Sequence, residues 1–268
     1  MIGQCKLCLR DAELQDSHFL SKGIYKILRE NDAQNPNPFS ITRGAVIQTS
    51  RQLKSHLLCR LCENLLNEGG EKWVLTNCLQ NDRSFPLADA LVPATPKLAS
   101  PDRETKVYHA AEIPRINVSK LSYFAASIFW RGSIYPWNED GSVPVELGPF
   151  QERFRLFLLG EEEFPADSVL WVAVRSGRGS DKLTHVPVLV RKDGLHSYKF
   201  PMPGLAFTLI VSKNIPSRYR DISLVQGAGN PIIATSVLEG WLMQEGARAL
   251  QASQGGSATV QRARKASA

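Results

Sequence analysis

Gln4-Cys5-Lys6-Leu7-Cys8-Leu9 and Leu57-Leu58-Cys59-Arg60-Leu61-Cys62-Glu63-Asn64 are the stretches whose joint reading decides the fold, and 50 residues lie between Cys8 and Cys59. Each Cys-x-x-Cys pair places two thiols on one tight turn. Two such pairs read as one tetrahedral zinc site with Cys5, Cys8, Cys59 and Cys62 as ligands. Folding must then bring the two turns to one point. A four-thiolate site is closed: it supplies folding free energy and has no open position for a substrate. Any chemistry falls to residues that the metal positions. The first candidate is the histidine of Gln15-Asp16-Ser17-His18.

The chain has 268 residues, enough for two small domains or one domain with an appendage. An apolar fraction of 43% supports a real core. A net charge of +6 and a pI near 9.1 suit a polyanionic partner. The signal is modest, because 26 acidic residues dilute it and Arg262, Arg264 and Lys265 of the tail account for half of the excess. Cys78, in an apolar stretch, is read as a buried filler. The N-terminus lacks a charged region followed by an apolar run, so the expected setting is cytoplasmic, where metal is favoured over disulfides. The sequence has no apolar run of about 18 residues, so no membrane span is expected.

Along the chain, a short strand around Glu13-Leu14 should lead to His18. The spacing of Leu20, Ile24, Ile27 and Leu28 predicts a helix over 20–30. Composition makes 31–39 a loop, and 39–50 a strand or hairpin arm. A helix should start at Cys62 and run towards 79. Gly69-Gly70 cost it roughly 2 kcal/mol relative to alanine, so it should weaken or break there. Residues 81–118 hold five prolines and read as an extended linker, which sets domains at 1–80 and 119–251 and leaves 252–268 as a disordered tail. The second domain should open with a helix over 119–135, capped by Ser119 and stopped at Gly132, and continue with one over 149–159. Strands follow at 168–174, 186–190, 195–200 and 205–211, with Asp193-Gly194 as a hairpin turn. A helix over 232–250 should close it.

Ser17-His18-Phe19-Leu20-Ser21-Lys22, Leu57-Leu58-Cys59-x-x-Cys62-Glu63-Asn64, Gly70-Glu71 and the run from Phe124 to Arg131 resemble a group of bacterial HNH-like proteins. More broadly, these motifs are similar to HNH (ββα-metal) nucleases that carry a structural zinc in a treble-clef frame. The likeness covers motifs in about half of the chain. It implies hydrolysis of a nucleic-acid phosphodiester, with His18 as general base and a divalent cation, Mg²⁺ or Mn²⁺, at the phosphate. In such proteins the residue before the base is commonly a metal ligand. Here Ser17 stands there, and Asp16, one residue back, would point to the other side of a strand from Ser17. The helix ligand, commonly His or Asn, falls among Glu63, Asn64 and Asn67. The region that usually carries an orienting Asn holds Lys54, Ser55 and His56. The resemblance places the chain in bacteria or their phages, with a role in defence as an analogy.

Lys22, Lys26 and Arg29 follow i, i+4, i+7 spacing, and Arg60 lies in the second knuckle. They are the candidate contacts to DNA or RNA phosphates. The fold expected is α+β: an N-terminal treble-clef, HNH-like zinc module and a C-terminal mixed domain with antiparallel sheet and helices. The rival function is a non-catalytic zinc protein that binds nucleic acid or a protein partner.

Overall fold

The computed structural model describes residues 1–28, 39–42, 45–48, 52–78, 85–102, 104–138, 141–175, 183–192 and 194–235. The N-terminal part opens with β1 (Ile2–Gln4), β2 (Asp11–His18) and α1 (Lys22–Leu28). Next come β3 (Phe39–Thr42), β4 (Ala45–Gln48) and β5 (Lys54–Cys59), which runs straight into α2 (Arg60–Leu66). A π-helical turn, Asn67–Glu71, joins α2 to α3 (Lys72–Asn77) without interruption. Strands β1, β2 and β5 form one antiparallel sheet in the order β1-β2-β5.

The glycine pair therefore does not break the helix. It widens one turn, and the missing side chains let a second helix approach. A Cβ on Gly70 would stand 2.7 Å from the backbone nitrogen of Phe124 and 2.9 Å from the carbonyl oxygen of Lys120. A Cβ on Gly69 would run into the ring of Tyr123. The propensity cost is real, and a helix–helix contact offsets it.

The stretch expected to be a linker instead carries α4 (Pro86–Leu91), β6 (Leu98–Ala99) and β7 (Thr105–His109). The five-residue run at β7 is bracketed by prolines, and that composition outweighed the short strand in the sequence reading. Pro86 itself sits in the first turn of α4, where its missing N–H costs nothing. Beyond it come α5 (Val118–Ile134), α6 (Phe150–Leu159), β8 (Ser168–Arg175), β9 (Leu183–His185), β10 (Val188–Lys192), β11 (Leu195–Met202), β12 (Leu205–Val211), α7 (Ser217–Arg220) and β13 (Pro231–Thr235). Seven strands form a sheet in the order β10-β11-β12-β8-β13-β7-β6. It is antiparallel except where β13 runs parallel to β8. Strands β4, β3 and β9 make a third, smaller sheet.

Two expectations fail at the ends of elements. Asn117, not Ser119, caps α5, its side chain accepting the Lys120 N–H at 3.0 Å. Gly132 does not stop that helix; it makes room for Val145, whose Cγ2 would lie 2.8 Å from an added Cβ. A larger correction concerns residues 232–235, which are a strand in the seven-stranded sheet rather than the start of a helix. A run of four apolar and β-branched residues does not distinguish the two by periodicity. The rest of that expected helix, the tail 252–268 and Arg29 lie outside the described residues.

Helix α5 is buried on nearly every side, from Leu121 to Ser133. One face meets the seven-stranded sheet, with Phe124 and Phe207 ring centroids 5.7 Å apart. Another meets α6, where the Tyr123 hydroxyl donates to the Leu158 carbonyl at 2.6 Å. A third meets the π-turn. One apolar cluster runs unbroken from Cys5 and Leu7, through Phe19 and Leu66, to Phe207 and Ile232. The architecture is mixed α+β, with four cysteines gathered near the N-terminus.

Gly70→Ala should lower the midpoint of urea unfolding by an amount equivalent to about 1–3 kcal/mol. Backbone overlap outweighs the roughly 1 kcal/mol that alanine brings to a helix interior. An unchanged or higher midpoint would show that the two helices separate freely.

Candidate functional site

The first cysteine pair occupies the turn between β1 and β2. The Cys5 N–H donates to the Arg10 carbonyl and the Leu9 N–H to the Cys5 carbonyl, both at 2.9 Å. Leu9 takes a left-handed conformation, φ 60°, to close the turn. The Lys6 N–H donates to the Leu57 carbonyl at 2.9 Å and docks the turn on β5. Arg155 of α6 reinforces it, donating to the Leu7 carbonyl at 2.7 Å while Glu152 holds the guanidinium through two oxygens. The second pair needs no extra turn. Cys59 ends β5 and is the N-cap of α2, and Cys62 lies in the first turn of that helix.

The four sulfurs lie within 4.8 Å of one another, and Cys8 Sγ stands 3.9 Å from Cys59 Sγ. Zinc–sulfur bonds of about 2.3 Å in a tetrahedron require sulfur–sulfur edges of about 3.8 Å. The donor set therefore fits a zinc ion, and all five cysteines of the chain are free of disulfides. Burial pushes the Cys5 thiol up, but N–H groups of Cys59, Cys8 and Leu7 point at its sulfur and bring it net below the ordinary thiol range. Burial pushes the Cys8 thiol up. Burial, and then the neighbouring sulfurs of Cys59 and Cys5, push Cys62 up. A divalent cation reverses that opposition, because each thiolate is then paired. Cys78 is buried outside the cluster, as expected of a filler.

A groove of about 580 Å³ opens beside the sulfurs. Arg10, Glu13 and Gln15 line one side, and Arg60, Leu61 and Leu65 of α2 the other. Arg60 is exposed in the groove; Lys22 and Lys26, one turn apart on α1, are exposed but do not line it.

His18 ends β2 and is half-buried. The pairing of β2 with β5 sets His18 opposite Lys54 and Asp16 opposite His56, with a bulge after Gln15. Alternation along β2 puts Asp16 on the same face as His18 and sends Ser17 the other way. Ser17 is buried, and its Oγ accepts the Leu58 N–H at 3.2 Å. The Lys54 ammonium contacts the exposed Asp16 carboxylate and, ahead of the more distant His56 and His18, holds it below the usual carboxylate range. The face thus carries Asp16, His18, Lys54 and His56. The i, i+2 step from Asp16 to His18 is the sequence signal for this face.

Of the helix candidates, Glu63 is half-buried with an unpartnered Oε1, while Asn64 and Asn67 are exposed. Among the described residues, only the four cysteines form a group of three or more His, Cys, Asp or Glu side chains at metal-binding separation. A preformed second cation cluster is thus not present among them. Magnesium and manganese need less, since they bind through one or two carboxylates, waters and the phosphates of a substrate. Asp16 is an exposed carboxylate on the His18 face, paired with Lys54.

The class of protein that fold and site define is an α+β chain with a candidate four-cysteine metal centre. No family model, no curated protein and no solved structure matches the chain. No helix among the described residues is long and apolar enough to cross a membrane.

Elemental analysis of the purified chain should return about one zinc per molecule. A strong chelator should lower the melting temperature, and Cys8→Ser should weaken zinc retention. A disulfide in freshly prepared protein, or full stability without metal, would remove zinc from the fold.

Proposed function

We propose that the chain is an HNH-like, zinc-stapled endonuclease whose N-terminal module is a treble-clef variant. The observation that carries the reading is the setting of His18. It ends a strand whose start adjoins the metal turn, its imidazole is partly open to solvent, and its face also carries an acid and a lysine. The treble-clef reading is supported by the source of the sulfurs, one pair on a hairpin turn and the other at a helix start.

In this reading the neutral His18 imidazole takes a proton from water as the water oxygen bonds to phosphorus. The P–O bond on the far side breaks, and the leaving oxygen departs with the electron pair and is protonated from solvent. A bound magnesium or manganese ion would supply positive charge at the phosphate oxygens. Asp16 on the His18 face and Glu63, Asn64 or Asn67 on the helix are the oxygen donors that would hold it. Lys54 pairs with Asp16 in the structure, but both side chains are exposed and water screens the pair, so a divalent cation can displace it. Lys22, Lys26 and Arg60 would contact the nucleic-acid backbone, DNA or RNA, without reading sequence.

A second reading has its own support. The lack of a second preformed cation cluster among the described residues favours a zinc protein that binds nucleic acid, or a protein partner, without cutting it. The two readings part in a plasmid-nicking assay with added Mg²⁺ or Mn²⁺. Wild type should nick, and His18→Ala should lose about 100- to 10,000-fold in rate, the usual contribution of a general base. Equal nicking by both proteins would take His18 out of the mechanism, and no nicking by wild type would leave the binding reading.

Binding to duplex DNA should weaken steeply with salt. Replacing Lys22 and Lys26 with alanine should flatten the plot of log affinity against log salt by up to about two contacts' worth. An unchanged slope would place the nucleic-acid surface elsewhere.

A further inference from the structure

Two charged side chains lie in the interior with no part in the reading above. Arg131, on α5, and Glu71, the last residue of the π-turn, are 3% and 8% exposed. Arg131 Nη1 stands 2.6 Å from Glu71 Oε1. The same nitrogen donates a hydrogen bond to the Phe19 carbonyl at 3.2 Å. Phe19 directly follows His18.

Burying an ion pair strips water from both charges, and apolar residues of similar volume often serve stability as well or better. Stability therefore does not account for the pair. Its placement does. Phe19 is held from three further sides: its N–H donates to the Leu53 carbonyl at 2.9 Å, and its ring meets Trp137 at 5.3 Å and Phe200 at 6.4 Å. The Trp137 indole donates to the Arg131 carbonyl at 2.7 Å, which ties the aromatic wall to the same helix. On the other flank, the buried Ser17 hydroxyl accepts the Leu58 N–H. His18 thus stands between two anchored residues while its own imidazole stays partly open.

We infer that Arg131 and Glu71 are positioning residues for His18. The carboxylate fixes the guanidinium, the guanidinium holds the Phe19 carbonyl, and that carbonyl sets the backbone from which the imidazole projects. The catalytic consequence rests on the nuclease reading; the geometric one does not. Lysine would keep the charge and lose the planar guanidinium geometry in which Nη1 meets both the carboxylate and the carbonyl.

The test uses the full zinc-loaded chain and two variants, Arg131→Lys and Glu71→Gln, each checked for zinc content and cooperative melting. Two quantities are read: the His18 imidazole resonance by NMR, and kcat and KM separately in plasmid nicking. The His18 resonance should shift or broaden in both variants. kcat should fall on the order of 10- to 100-fold with KM little changed, as misplacement of a catalytic group by about 1 Å does. Folded, zinc-loaded variants that keep the wild-type resonance and kcat would overturn the proposal. So would unfolding of both, which would assign the pair to stability. Where one variant fails to fold, the other decides. Where wild-type protein does not nick, the nuclease reading fails, and the resonance alone decides whether the pair positions His18.

Discussion

Four sulfurs within 4.8 Å of one another are a poor arrangement without a cation, because burial pushes the Cys8 and Cys62 thiols up and the neighbouring sulfurs push Cys62 further. With a divalent ion among them, the same crowding becomes a staple between parts of the chain 50 residues apart. Much of the N-terminal structure follows from that staple. It fixes the β1–β2 turn on the end of β5, and it fixes the start of α2, because Cys59 is at once the last residue of a strand and the cap of a helix. The backbone bond from Lys6 to Leu57 and the Arg155 bond to Leu7 hold the same turn from two other directions. A metal ion held there would set a register that these hydrogen bonds extend.

From the cysteine cluster one continuous helical rod leads away. Helices α2 and α3 and the π-turn between them run from Arg60 to Asn77, and the turn falls where α5 crosses. Side chains at 69 and 70 of this turn would collide with Tyr123 and with the backbone at Lys120 and Phe124. Widening the turn also brings Glu71 to Arg131. One irregularity thus serves both packing and the placement of a buried charge, in keeping with the frequent occurrence of π-turns at functional positions.

The cysteine spacing made the metal centre legible, because thiol pairs at this separation have few other uses outside oxidising compartments. Periodicity exposed α5, α6 and the strands β8, β11 and β12, each long and strongly patterned. What stayed hidden was of another kind. β7 and β13 are five residues each and gain their identity only from neighbours in a sheet. Composition argued for a linker in one case, and an apolar run argued for a helix in the other. The π-turn was hidden because propensity counts the cost of two glycines and not the contact they permit. The face with Asp16 and His18 was half legible: the step of two was there, but the pairing of Asp16 with His56 and of His18 with Lys54 depends on a register that a bulge resets.

The structure also bears on where a functional unit begins and ends. The cysteines and His18 lie in the first 62 residues, which invites the idea that these residues suffice. The contacts of Phe19 argue otherwise. Its carbonyl is held by α5, its ring by Trp137 and by Phe200 of β11, and the metal turn itself is held by α6. Each of those partners comes from beyond residue 118, and the apolar cluster that joins them has no gap. An isolated N-terminal module would keep the sulfurs and lose the groups on one flank of His18. Part of the work of the C-terminal part is to hold the backbone beside the histidine in place. That explains why a helix as buried as α5 carries an arginine at a position where an apolar side chain would pack at lower desolvation cost.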